Sequence, residues 1–398
     1  MKIVLFDNPH IYENLLPLSY TRPVAAFRIG IVTIKEKWQH FLPGDYCYSP
    51  KDYLKEKFPC NCGDEVCLFV AGNILPDEDC VAEAASLETG DALKDEFGLW
   101  AFKGTEAEFD AMRWQGGRPS KTTPRRVNYV FDTFRFNAEE ICNDFKWLTA
   151  GRKGLPLDPS NLIIGSPTDE NGEPMIFIED GASIEGAVIN VKNGPVYVGK
   201  NSQIMEGSSV RGPLALCDNA KIKMGSKIYG GCTFGPYCKV GGEIDNSVLF
   251  GYSNKAHDGY LGNAVIGEWC NIGAGTNSSN LKNDYSKIRI WNYEKQSFMR
   301  TDLQFCGLIM GDHSKAGINC MFNTATVVGV GVNFHGAGFP RQFIPSFLNG
   351  SPEGGYTDVP IDTFMTIARR VMSRRNLELN DVDRRIFEEI YKSAARFK

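Results

Sequence analysis

Between residues 198 and 240 a bulky apolar side chain recurs at every sixth position: Val198, Ile204, Val210, Leu216, Ile222, Ile228, Phe234 and Val240. A helix repeats every 3.6 residues and a strand every two, so an unbroken period of six belongs to neither. It is the pattern of hexapeptide repeats, in which each short strand turns one bulky side chain into the interior of a parallel β-helix and small residues round the corners. The phase begins at Ile178 and Ile184, resumes at Tyr260, Ile266 and Ile272, and returns in a new register at Met310, Ala316, Phe322, Val328 and Phe334. Gly199, Gly207, Gly225, Gly235, Gly267, Gly273 and Gly311 stand where corners need a permissive backbone, which absorbs part of the 41 glycines in this 398-residue chain.

The flanks read differently. Residues 2–6 (KIVLF), closed by Asp7-Asn8-Pro9, and residues 66–71 are expected to be buried strands, and residues 29–40 have helical spacing. Asn137 followed three residues later by Glu140 predicts a capped helix over 137–149. Strands alternating with helices predict a Rossmann-like α/β domain with a parallel sheet over 1–155, bounded by the Gly/Pro-rich stretch 151–159. The β-helix is expected over 156–345, with the repeats stopping after Pro340, and a helical tail over 346–398 with helices at 362–374 and 380–395. Residues 281–303 interrupt the repeat and read as a loop ejected from a coil. Its Trp291 and Tyr293 suit an active-site cover or a subunit contact equally. Arg369, Arg370, Arg374 and Arg375 form a basic cluster, either a solvated helix end or a seat for an anionic cofactor group.

A formal charge of −5 excludes the clustered positive field of a nucleic-acid or membrane-surface protein. The first apolar run is too short for a signal-peptide core and no later stretch reaches membrane-spanning length, so a cytoplasmic protein with reduced cysteines is expected. Cys60-Asn-Cys62 with Cys67 offers three thiols, but a fourth ligand at the usual spacing is missing and no histidine lies near. These read as loop and strand cysteines.

Polar residues concentrate where the hexad is weakest, in Asn254-Lys255-Ala256-His257-Asp258-Gly259-Tyr260-Leu261-Gly262 and on through Asn271-Ile272-Gly273-Ala274-Gly275-Thr276 to Asn280. A β-helix coil has no packing need for a histidine beside Lys, Asp and Tyr, so a ligand explains the run better. An imidazole, titrating near neutrality, is suited to take a proton from an attacking group. His10, His40, His313 and His335 read as structural or surface residues without chemistry.

The run KAHDGYLGNAVIGEWCNIGAGT resembles the acetyltransferase segment of the bifunctional UDP-N-acetylglucosamine pyrophosphorylase/glucosamine-1-phosphate N-acetyltransferase family. That resemblance implies a left-handed β-helix, a homotrimer, and acetyl-coenzyme A bound between subunits. It also implies His257 as general base towards the sugar amine, with Ala274 offering its backbone N–H to the oxyanion. Tyr260, Asn271, Lys227 and Lys255 would hold an amino-sugar 1-phosphate, most simply glucosamine 1-phosphate, and Asn280, Ala274 and Ala316 would meet acetyl-coenzyme A. Where the family carries a lysine twelve residues before this histidine the chain has Asp245, so either another cation, such as Lys227, Lys255 or Arg289, supplies the phosphate's counter-charge or the acceptor is not glucosamine 1-phosphate.

The N-terminal half resembles a shortened form of the family's nucleotidyltransferase partner. It lacks the Gly-rich phosphate loop, has Thr21-Arg22-Pro23 where a Lys-Pro pair would stand, and has Val70-Ala-Gly72-Asn73-Ile-Leu-Pro76 where an Asp binds magnesium. With Leu18-Ser-Tyr-Thr-Arg22-Pro23 and Arg28-x-Gly30, the whole architecture resembles the divergent bacterial form of the bifunctional enzyme. The resemblance implies Arg22, Arg28 and Asn73 at a nucleotide (UTP or dTTP), and Mg2+ held by Asn73 with Asp77 or Asp79. Three functions follow from the sequence. The first is a two-activity enzyme, the second an acetyltransferase with a degenerate nucleotide-binding domain, and the third a nucleotidyltransferase with a structural β-helix.

Overall fold

The computed structural model describes residues 1–398, the side chain of His10 excepted. Beyond Leu162–Ile164 the chain winds as a left-handed parallel β-helix whose three walls are sheets of nine, ten and eight strands. Inward side chains stack in register from coil to coil. On the first wall Leu216 lies over Val198 and under Phe234, followed by Leu249, Ile266, Met310 and Val328. On the second, Ile204, Ile222, Val240 and Lys255 are followed by Ile272, Ala316 and Phe334. On the third, Val210, Ile228, Ile244 and Leu261 precede Ser278 and Phe322. The aliphatic members form one continuous buried column, removed from water along its whole length.

The hexad lapses where corners shorten. After Val240 the interior positions are Ile244, Leu249 and Lys255, so Leu261 and not Tyr260 points inward. The repeats also continue past Pro340: Phe343–Ile344 and Leu348–Ser351 still pair in parallel, and antiparallel Gly355–Asp358 closes that end. Gly350 occupies an interior position there, which hides the period from a search for bulky residues. Two kinds of glycine round the corners. Gly207 has φ +72°, a left-handed backbone, whereas Gly235 is required by stacking, because a Cβ there would lie 1.8 Å from the Phe250 carbonyl oxygen.

The N-terminal sheet is mixed, not purely parallel. Asp45–Ser49, Lys2–Phe6 and Cys67–Ala71 run parallel, but Gly98–Gly104 is antiparallel to both Cys67–Ala71 and Ala92–Asp95, and a hairpin too short for a crossover joins Ala92–Asp95 to Gly98–Gly104. After a short helix Pro9–Asn14 comes Ile34–Phe41, started by a capping box in which Thr33 Oγ1 accepts from Glu36 N and the Glu36 carboxylate from Thr33 N. The long helix is Asp132–Thr149, so Asn137 is no cap. Buried in mid-helix, its amide accepts from Gly30 N at 2.7 Å and donates to Gly231 O at 2.8 Å, tying the N-terminal domain to the β-helix. Two polar side chains three residues apart mimicked a capping box.

Helices Ile361–Ser373 and Asp381–Ala394 clamp the other units together. His313, buried in a β-helix corner, makes edge contacts with Phe364 and Phe387. The segment 281–303 contains the antiparallel pair Arg289–Asn292 and Ser297–Arg300. Trp291 stacks on Phe343 at 4.2 Å, and Tyr293 packs edge-on against Tyr20, Phe343 and Phe397. Both aromatics therefore brace the chain internally, and neither lines the His257 cavity. No helix is long and apolar enough to cross a membrane. Against the expectation of reduced cysteines throughout, Cys47 and Cys60 are disulfide-bonded, because the return of the chain after Asp45–Ser49 brings their Cα atoms to 5.1 Å.

Candidate active site

His257 sits at the corner between Asn254–Lys255 on the second wall and Tyr260–Gly262 on the third, and its side chain is exposed. The corner is set from inside. Lys255 takes an interior position and is 1% exposed, its ammonium donating to the carbonyl oxygens of Gly241, at 3.0 Å, and of His257 itself. Burial pushes its pKa down to about 8. The substrate contact expected of Lys255 is therefore corrected: the side chain faces inward and holds the backbone that carries the imidazole. One coil on, Ala274 stands at the same corner, since Gly275 N donates to Asp258 O at 2.9 Å and Asn319 N to Ala274 O at 2.7 Å.

A cavity of about 550 Å3 opens beside this corner. His257 and Asn271 line it, together with Lys239, Lys315, Arg374 and Arg375, and no carboxylate is among the described residues of its wall. Burial first, and then Arg375, Lys221, Lys223 and Arg374, lower the pKa of Lys239. Burial pushes Lys315 down to about 8, while its ammonium donates to His313 O at 2.7 Å and Trp269 O at 3.1 Å. Arg375 reaches Asn254 Oδ1 and Tyr237 O, both at 3.5 Å. One wall is aromatic: Tyr252 and Trp269 stack with centroids 4.2 Å apart, and Tyr237, outside the cavity wall, continues the stack at 5.1 Å from Tyr252. Four cations with no local counter-charge make a seat for an anion beside an imidazole.

The other expected residues lie round the corner or inside. On the third wall Asn280 Nδ2 donates to Tyr260 Oη at 2.9 Å and to Asn263 Oδ1 at 2.8 Å. Burial, with Asp245 nearby, pushes Tyr260 up to about 12. Lys227 is exposed on that wall with Glu243 between it and Tyr260. Ala316 is 4% exposed in the interior column, so its side chain meets core and not cofactor. Arg289 lies in the antiparallel pair of segment 281–303, outside the cavity wall. The residues sequence reasoning missed are Lys239 and Lys315. Both occupy outward positions on the second wall, in line with Asn254 and Asn271, a signal available only once the coil register is known.

In the N-terminal domain the expected nucleotide and metal residues are already engaged. Arg22 is buried against Asp312, and the Arg28 guanidinium donates to Ile31 O. Asn73 donates to Asn128 Oδ1 at 3.0 Å, leaving its own Oδ1 buried without a partner. The Asp77 carboxylate caps helix Glu78–Ala85 by accepting from Cys80 N at 2.8 Å. Mg2+ prefers carboxylate and water oxygens, and a part-buried Asn73–Asn128 amide pair, with Asp77 engaged as a helix cap, does not fit it. A second cavity of about 550 Å3 lies between residues 124–136 and 299–303, with Arg126, Arg135 and Arg300 in its wall.

Residues 3–153 match the family model for Sugar nucleotidyl transferase. The chain is similar to the bifunctional protein GlmU of Synechococcus elongatus, 27% identical over 223 residues that cover 54% of this chain and 44% of that protein. It is 31% identical to GlmU of Rippkaea orientalis over 147 residues, 32% of this chain and 28% of that one. It thus spans less than half the length of these curated relatives. Among solved structures, the UDP-N-acetylglucosamine acyltransferase of Francisella novicida overlaps 61% of this chain and 76% of its own, with a TM-score of 0.28 and 15% identity.

Proposed function

We propose that this divergent GlmU-like chain transfers an acetyl group from acetyl-coenzyme A to the amine of an amino-sugar 1-phosphate, glucosamine 1-phosphate being the first acceptor to test. The observation that carries the reading is the cavity that joins His257 and Asn271 to Lys239, Lys315, Arg374 and Arg375. His257 takes a proton from the neutral sugar amine as its nitrogen attacks the thioester carbon, and returns that proton to the departing sulfur. The new C–N bond forms, the carbonyl oxygen gains charge opposite the Ala274 amide, and the C–S bond then breaks to release coenzyme A, protonated at sulfur. The thioester is already activated, so this step needs no metal.

We read the assembly as a homotrimer. The expected ligands divide between two sides of one corner, and the same edge exposes Met224 (69%) and Ile318 (70%), apolar surface that a neighbouring copy would cover. For the N-terminal domain, uridylyl transfer from UTP to a sugar 1-phosphate is the activity its family relationship suggests. The engagement of Arg22, Asn73 and Asp77 favours a second reading, a nucleotide-binding domain without turnover.

Acetyl transfer to a panel of amino-sugar phosphates tests the first activity. Wild type turns over and His257→Ala does not, with its oligomeric state unchanged; equal turnover in the variant refutes the mechanism. Pyrophosphate release from UTP or dTTP with sugar 1-phosphates, with and without Mg2+, separates the two readings of the N-terminal domain.

A further inference from the structure

Three cysteine sulfurs gather at one end of the N-terminal sheet. The Sγ atoms of Cys47, Cys60 and Cys62 all lie within 4.8 Å of one another, and the Cys60 and Cys62 sulfurs are 3.3 Å apart. A fourth thiol, Cys67, neighbours Cys62 and donates to Glu65 O at 3.6 Å. The sequence offers Cys60, Cys62 and Cys67 close together, and the fold adds Cys47 from the strand Asp45–Ser49. Cys67 begins the strand Cys67–Ala71, on the far side of Lys2–Phe6, so two strands and the returning loop converge on the cluster.

We propose that this cluster is a thiolate site for a soft divalent cation, zinc, held by Cys47, Cys60 and Cys62 with Cys67 as the fourth ligand. Soft thiolate sulfur at convergent positions selects zinc over the hard cations that prefer oxygen. Among the described residues this is the one place where three or more His, Cys, Asp or Glu ligand atoms converge so closely. The disulfide between Cys47 and Cys60 is the oxidised form of the site. A dithiol reductant gives the disulfide two electrons and two protons, yielding two thiols while the reductant itself becomes a disulfide. Zinc then binds the thiolates and the thiol protons leave to solvent. A tetrathiolate zinc centre carries a net charge of −2, and Lys2 stands beside it, its ammonium donating to Asn61 O at 2.5 Å.

The site has structural work to do. The stretch between Cys47 and Cys67 includes Glu56 and Lys57, which pair with Arg385 and Asp383 of helix Asp381–Ala394, Lys57 at 2.7 Å. A metal that pins this stretch also secures the helical tail, which carries Arg374 and Arg375 into the His257 cavity.

The full chain, purified under a thiol reductant without chelator, is analysed for metal by mass spectrometry and then titrated with Co2+ as a spectroscopic probe. The expected result is one zinc per chain and, with cobalt, thiolate charge-transfer absorption together with the intense visible bands of a tetrahedral centre. Cys60→Ser and Cys62→Ser lower the bound zinc at least tenfold, and Cys320→Ser, in the β-helix, leaves it unchanged. Cys67→Ser weakens binding at least tenfold. If the cysteine variants fail to fold, the cobalt spectrum of the wild-type chain decides by itself. A reduced chain that takes up no zinc and shows no thiolate–cobalt absorption overturns the proposal, as does zinc retained in full by Cys60→Ser and Cys62→Ser. Neither outcome touches the acetyl-transfer reading, which is assayed separately.

Discussion

Arg22 of the N-terminal domain grips Asp312 of the β-helix, 290 residues away, through two hydrogen bonds of 3.1 and 2.5 Å. Thr21 Oγ1 donates to the same carboxylate at 2.7 Å, and Glu268 adds a second acid 3.2 Å from the guanidinium. The residue that looked like a phosphate ligand is instead the strut between two folding units.

Removing one partner of that pair leaves a buried charge without its counter-ion. Arg22→Ala is expected to destabilise the chain by about 3–5 kcal/mol, whereas Arg22→Met combined with Asp312→Leu costs much less, because both desolvation penalties disappear together. Urea unfolding of the two variants measures the difference.

Arg374→Ala and Arg375→Ala each withdraw a cation from the His257 cavity without touching the imidazole. KM for the anionic substrate is expected to rise about tenfold per arginine, equivalent to about 1.4 kcal/mol, with kcat largely kept. Steady-state acetyl-transfer kinetics at low and high salt check this, and the wild-type advantage should narrow as salt screens the cavity.

Lys255→Met keeps the length of the side chain and removes an amine from an aliphatic column. Its folding stability should match or exceed wild type by about 1 kcal/mol, since the charged form no longer has to be desolvated. Acetyl transfer should fall through kcat, because nothing then fixes the His257 carbonyl from inside. Urea midpoints and kcat, taken on one preparation, read both effects.

Asp7 accepts from Val24 N at 2.9 Å, and its other oxygen is buried without a partner. Burial raises its pKa from 3.8 to about 7. Between those values the folded chain keeps a proton that the unfolded chain has lost, so this group's contribution to stability falls as pH rises through that window and is fully unfavourable above it. Asp7→Asn removes the dependence. The stability gap between variant and wild type should shift in the variant's favour by about 2 kcal/mol from pH 5 to pH 8, as read from denaturant midpoints at each pH.

Much of the architecture was legible in the residues. The strand Lys2–Phe6, the helices Ile361–Ser373 and Asp381–Ala394, and the long succession of β-helix coils were all expected from local pattern. The errors fall where one residue type serves two purposes. Asn137 and Glu140 imitate a cap yet lie buried in mid-helix, Tyr260 imitates an interior hexad residue yet points out, and Lys255 in the same coil points in.

Periodicity by itself determined the β-helix, because six-residue spacing of bulky side chains is a local property that every coil repeats and no other fold needs. The same chain in isolation also singled out His257 as the candidate for chemistry, since a packing role for its polar run was lacking. Only the tertiary structure decided which cations face that histidine and which cysteine completes the thiol cluster. Lys239, Lys315 and Arg375 are far apart in sequence, as are Cys47 and Cys67, and what brings each set together is coil register, sheet order and helix docking, none of which is written in a local pattern.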